Sequence, residues 1–88
     1  MVVWKYEFPK VRKNRILIPE SNKLLHVSLV GSTPTAWFEV DTSSETVAMT
    51  VNFFATGEDL WENHEYMGTV MLEGLVFHMY RESATTPP

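Results

Sequence analysis

Apolar and polar residues alternate with a period of two along most of this chain, the pattern of strands that bury one face. In V-V-W-K-Y-E-F the spacing puts Val2, Trp4, Tyr6 and Phe8 on one side and Lys5 and Glu7 on the other. Pro9 stops that strand, because proline has no amide hydrogen for a ladder. The basic stretch K-V-R-K-N-R reads as a turn or linker, and R-I-L-I follows up to Pro19. K-L-L-H-V-S-L-V predicts a strand with Leu25, Val27 and Leu29 on one face and Leu24, His26, Ser28 and Val30 on the other. Gly31, Ser32, Thr33 and Pro34 form turn punctuation. T-A-W-F-E-V-D then directs Ala36, Phe38 and Val40 inward and Trp37, Glu39 and Asp41 outward. After the turn at 42–45, V-A-M-T-V-N-F-F-A alternates Val47, Met49, Val51 and Phe53 against Ala48, Thr50, Asn52 and Phe54. It is the longest strand candidate and is expected at the centre of a sheet.

The polar loop E-D-L-W-E-N-H-E has room for one helical turn at most. Y-M-G-T-V-M-L and L-V-F-H-M-Y-R meet at Glu73-Gly74, a two-residue hairpin connection that exploits the freedom of glycine at positive φ. The expected fold is all-β: a small antiparallel meander of about seven strands, most pairing in sequence order. The last two strands are apolar on both faces. Met67 and Met71 oppose Tyr66, Val70 and Leu72, and Leu75, Phe77 and Met79 oppose Val76 and Tyr80. A flat sheet with one wet face has no use for that pattern, so the sheet is expected to curl into a barrel or sandwich. Residues 1–82 form one β domain on this reading, with residues 83–88 a disordered tail.

Composition narrows the function classes. The 88 residues include no cysteine, which removes disulfides and thiolate metal sites. No apolar run approaches the roughly 20 residues of a membrane-crossing helix, and no signal peptide is recognisable, so a soluble cytoplasmic protein is expected. The net charge of -4 is unevenly placed. Residues 1–23 hold six basic and two acidic side chains, whereas residues 24–88 hold Arg81 against nine acids. Such asymmetry orients partners. The acidic loop presents Trp61 among Glu58, Asp59, Glu62 and Glu65, an aromatic anchor ringed by carboxylates that suits a basic protein surface. An alternative set for a nucleotide signal is Trp4 and Tyr6 with Arg12 and Arg15. The net negative charge argues against nucleic acid. Two-sided apolar strands in so short a chain point to a homodimer, with Trp37, Phe54, Val76 and Tyr80 as the expected interface.

Catalytic signals are sparse. His26, His64 and His78 are not spaced as metal ligands, and no nucleophile elbow or phosphate-cradling glycine loop is present. Glu39 and Asp41 share a strand face and, with His78, are the nearest thing to a hydrolase set. The expectation is a protein without catalysis, cofactor or metal.

The order W-K-Y-E-F, R-I-L-I-P with L-L-H-V, A-W-F-E-V-D, F-F-A-T-G and Y-M-G-T with L-V-F-H-M-Y resembles a family of short, uncharacterised proteins encoded by tailed bacteriophages. The likeness spans residues 3–81 and departs from the family at Ala55, where members tend to carry glycine, and in the longer and more acidic loop after Gly57. It implies a phage accessory protein, acting in the cytoplasm of an infected bacterium by binding and disabling a host or immune protein. It carries no catalytic residue over to this chain.

Overall fold

A computed structural model describes residues 1–9, 12–60 and 63–82, and the alternating segments become β1 (Val2–Glu7), β2 (Lys13–Pro19), β3 (Asn22–Val30), β4 (Thr33–Val40), β5 (Thr46–Ala55), β6 (His64–Leu72) and β7 (Leu75–Glu82). All ladders are antiparallel. They form a three-stranded sheet, β1-β4-β3, and a four-stranded sheet, β2-β5-β7-β6. The two sheets face each other in a flat body of 40 × 32 × 17 Å, the thickness expected of two layers about 10 Å apart. No helix long and apolar enough to cross a membrane occurs among the described residues.

Sequential pairing holds for two hairpins, β3–β4 and β6–β7; the other ladders join strands distant in sequence. Both hairpins use two-residue loops. Glu73 and Gly74 have φ of 52° and 78°, the doubly positive pattern whose twist matches the flanking strands. At the first hairpin only Gly31 and Ser32 turn; Thr33 and Pro34, expected in the turn, already belong to β4. Likewise β2 starts at Lys13, inside the stretch expected to be a basic linker, and extends through Pro19. β5, the longest strand, lies inside the four-stranded sheet as its pattern requires.

The core lies between the sheets. Phe38 and Val40 of β4, Val51 and Phe53 of β5, Ile18 of β2 and Met79 of β7 are fully buried, as is Phe8 just after β1. Burial of each is worth about 1.5–3 kcal/mol. Phe8 meets Phe53 edge-on across the gap, and Tyr6 meets Phe38 edge-on within the three-stranded sheet, the favoured geometry of aromatic pairs.

Two strands depart from strict alternation, for the same reason. A bulge between Leu24 and His26 adds one residue to β3, and another between Tyr66 and Gly68 adds one to β6. An extra residue reverses the phase of everything beyond it. Leu24 therefore faces the core together with Val27 and Leu29, and Leu25 is exposed, the opposite of the alternation reading. In β6, Met67 and Val70 are buried on one face while Tyr66 and Met71 are exposed on the other. The bulged strands run past each other at one side of the sandwich. There Gly68 lies against Val27, so close that a Cβ on Gly68 would meet the Val27 Cβ at 3.0 Å.

One charged side chain enters the interlayer. Arg81 of β7 donates from Nη1 to Asn22 Oδ1 of β3 at 2.9 Å and from Nη2 to Glu65 Oε1 of β6 at 2.8 Å. Its guanidinium carbon lies 5.9 Å from the centre of the Phe38 ring. Arg81 thus ties β6, β7, β3 and β4 together with a single fork of donors.

Candidate functional site

The outer face of the four-stranded sheet carries the densest polar and aromatic constellation among the described residues. Strand register builds it. Asn52 of β5 pairs with Tyr80 of β7, which pairs with Tyr66 of β6; in the next row Phe54, His78 and Thr69 align. Cross-strand neighbours on one face lie about 5 Å apart, close enough for side chains to bond directly. They do. Thr69 Oγ1 lies 3.0 Å from Nδ1 of His78, and Thr56 Oγ1 lies 2.9 Å from Nε2. The Tyr66 hydroxyl closes on Thr69, so a chain of hydroxyls and imidazole runs Tyr66–Thr69–His78–Thr56. Both ring nitrogens of His78 are engaged.

A second network starts one row away. Asn52 is buried, and its Nδ2 donates to His64 Nε2 at 2.9 Å and to Glu82 Oε2 at 3.0 Å. Between the networks stand Phe54, Tyr80 and Tyr66, with edge-to-face centroid distances of 5.8 Å and 5.3 Å; the His64 ring adds a further edge at 5.7 Å from Phe54. Packing and hydrogen bonds together fix the rotamers of these rings. Tyr66 and Met71 remain more than half exposed at the β6 side of the face. Next to β5, Arg12 and Lys13 on one side and Glu58 and Asp59 on the other border an open hollow of about 290 Å³ against Phe54.

The sequence-derived residue sets distribute differently. Trp37 faces outward from the three-stranded sheet, whereas Phe54, Val76 and Tyr80 belong to the outer face of the other sheet. They cannot form one patch, and Phe54, only 3% exposed, is already covered. Trp37 instead has His26 beside it, with ring centroids 5.6 Å apart, and Lys5 opposite it on β1.

In the acidic set, Glu58 accepts from Arg12 Nη1 on both carboxylate oxygens, at 3.0 and 2.7 Å, and from the Ala55 amide. The Arg12 hydrogen bond, then that of Ala55, holds the Glu58 carboxyl below its ordinary range. Glu65 is bound to Arg81, and Asp59 is exposed. Trp61 and Glu62 lie outside the described residues, as do residues 83–88.

The nucleotide set does not converge. Tyr6 points to the core side of β1, where its hydroxyl donates to the Leu17 carbonyl at 2.9 Å and burial pushes its phenol up. Trp4 shares that side of β1, while Arg15 stands exposed on the outer face of β2 and Arg12 is tied to Glu58. Glu39, Asp41 and His78 are also apart. Asp41 opens the β4–β5 turn, where the Ser43 hydroxyl at 2.6 Å and then the Ser43 amide at 3.0 Å depress its carboxyl.

The comparisons with known proteins bear on the whole chain. A family model described as a domain of unknown function, DUF7352, matches residues 1–88. The chain belongs to this family. No curated protein and no solved structure matches it. For this DUF7352 member, the residues that alternation alone could not assemble are Asn52, Thr56, His64, Tyr66, Thr69 and His78. The available signal was that His78 and Tyr80 share one strand face; which β6 residues stand beside them depends on the Met67 bulge.

Proposed function

We propose that this chain is a small phage accessory protein that acts by binding without catalysis, engaging and disabling a bacterial host or immune protein through the outer face of its four-stranded sheet. One observation carries the choice of face: the Tyr66–Thr69–His78–Thr56 chain packed beside the Phe54–Tyr80–Tyr66 aromatic row. Polar groups that satisfy one another need no partner to pair with, and rings held in one rotamer lose little entropy on docking. Tyrosine and methionine are the residue types enriched at the centres of protein interfaces, and here Tyr66 and Met71 are the exposed ones. The phage setting rests on the resemblance of residues 3–81, and the bacterial cytoplasm follows from it.

The test uses a photo-crosslinking side chain at Met71 in infected cells, followed by affinity measurement with the purified crosslinked protein. Tyr66→Ala should weaken that complex by at least tenfold, whereas Trp37→Ala on the opposite sheet leaves it unchanged. Equal affinity of both variants would remove this face from the proposal. Turnover of nucleic acids or cyclic nucleotides that disappears in His78→Ala would replace binding with catalysis.

A further inference from the structure

The four strand edges of the sandwich are not equally protected. Edge strands expose unpaired amides and carbonyls, and folded proteins blunt them with bulges, prolines, charges or covering side chains. β3 and β6 each carry a bulge and pack against each other at Val27 and Gly68. β2 contains Lys13, Arg15 and Pro19, and the Tyr6 hydroxyl occupies its Leu17 carbonyl. β1 has no bulge and no internal proline, its two charges, Lys5 and Glu7, lie 3.7 Å apart as an ion pair, and it begins with the exposed apolar residues Val2, Val3 and Trp4.

The direction of its free hydrogen-bonding groups can be read from one contact. The Phe8 amide donates to the Pro34 carbonyl, in register with the β1–β4 ladder. Hydrogen-bonded pairs alternate along an antiparallel ladder, so Val2, Trp4 and Tyr6 bond to β4. Val3, Lys5 and Glu7 therefore turn their amides and carbonyls outward. Among the described residues nothing meets them.

We propose that β1 is a docking edge for a second copy of this chain, the two β1 strands pairing antiparallel about Trp4 so that two three-stranded sheets join into one of six. The register follows from charge and apolar area together: centring on Tyr6 would set Lys5 opposite Glu7, but the Tyr6 ring is half-buried with its hydroxyl on the Leu17 carbonyl, whereas Trp4 is exposed. Centring on Lys5 or Glu7 opposes like charges, which is destabilising. Centring on Trp4 places Val3 opposite Lys5 of the second copy and Val2 opposite Tyr6. It also sets the two indoles in a non-hydrogen-bonded pair, where side chains approach most closely. Trp4 is 41% exposed in the single chain, which leaves roughly 100 Å² of each indole to cover. A joint of one strand pair is small, at or below about 1,200 Å² in total, so monomer and dimer exchange at micromolar concentration. This interface is separate from the proposed recognition face and leaves it free in both copies.

Light scattering across a dilution series from about 500 to about 10 µM reads the mass-action shift. The wild-type mass rises with concentration toward twice the 10.1 kDa of the chain. Val3→Pro deletes an outward amide and no internal ladder bond, so the variant keeps its β spectrum and stays at 10.1 kDa at every concentration. Val3→Thr retains the amide and dimerises. A wild-type chain that remains monomeric at the highest concentration overturns the proposal, as does a Val3→Pro variant that still doubles in mass. Should Val3→Pro disturb folding, residue-resolved hydrogen exchange on the wild type decides. The amides of Val3, Lys5 and Glu7 slow by about three- to sevenfold between the dilute and concentrated samples, since the monomer fraction falls at most as the square root of the concentration ratio; unchanged exchange there overturns the proposal even if some other dimer forms.

Discussion

Replacing Arg81 by alanine removes a charged side chain that reaches from the four-stranded sheet into the interlayer. Its side chain is only 16% exposed, so water replaces little of what is lost. The bond to Asn22 is a charged-donor hydrogen bond of 2.9 Å, worth about 1.5–3 kcal/mol. The guanidinium over Phe38 adds about 1 kcal/mol in a site this sheltered. The ion pair with Glu65, whose side chain is mostly exposed, contributes less than about 1 kcal/mol. Arg81→Ala should therefore destabilise the fold by about 3–4 kcal/mol, a large share of the 5–15 kcal/mol typical of a domain. For a chain of this length that lowers Tm by roughly 15–25 °C. Urea unfolding followed by circular dichroism measures the loss directly, with the slope unchanged if the native fold is retained. Glu65→Ala should cost no more than about 1 kcal/mol. If Glu65→Ala and Arg81→Ala destabilise equally, the energy resides in the surface pair and the interlayer argument is wrong. A loss below about 1 kcal/mol for Arg81→Ala refutes it outright.

Other outcomes follow from the same coordinates. Gly68→Ala forces a methyl group against Val27 at 3.0 Å and should cost about 1–3 kcal/mol, with Val27→Ala in the same chain restoring part of it; additive losses in thermal melts would deny the contact. Asn52→Ala strips His64 and Glu82 of their shared donor in a buried position and should cost about 1–3 kcal/mol by urea unfolding; an unchanged midpoint would deny the contact. Asp41 and Glu58 both titrate below their ordinary values in the folded chain, so their support for the fold is complete above the unfolded carboxylate range near pH 4 and fades as pH falls through their lowered values. Carboxyl NMR titration should show both midpoints depressed, with Arg12→Met moving Glu58 upward and leaving Asp41 in place.

Alternation carries real information about this chain because most strands bury one face against the other sheet. Phe38, Val51, Phe53 and Met79 occupy the core that their phase requires. The phase breaks at Leu25 and Met67, since a bulge is a property of the ladder and leaves no mark in composition. The residues expected to form one interface divide between two faces for a related reason. Trp37 and Tyr80 are both outward residues, but outward has two directions in a two-layer body, and which strand joins which sheet is decided by long-range pairing. The histidine and threonine network is invisible for the same cause: Thr56, Thr69 and His78 meet only because β6 pairs with β7 in one particular register. Arg81 occupies an inward phase that apolar residues were expected to fill, and only its partners explain why it is tolerated there.

The order in which strands find partners sets a schedule for biosynthesis. Among the described residues, β1 pairs only with β4, and β2 only with β5. At about 5–20 residues per second, the first strand leaves the ribosome roughly 2–7 s before its complement is complete. Throughout that interval Val2, Val3 and Trp4 have no sheet to join. The hairpins β3–β4 and β6–β7 have short loops and are able to form as they emerge. The nascent chain therefore builds its middle first and gathers its beginning afterwards, and one of the two strands that wait is also the one that remains an open edge when folding ends.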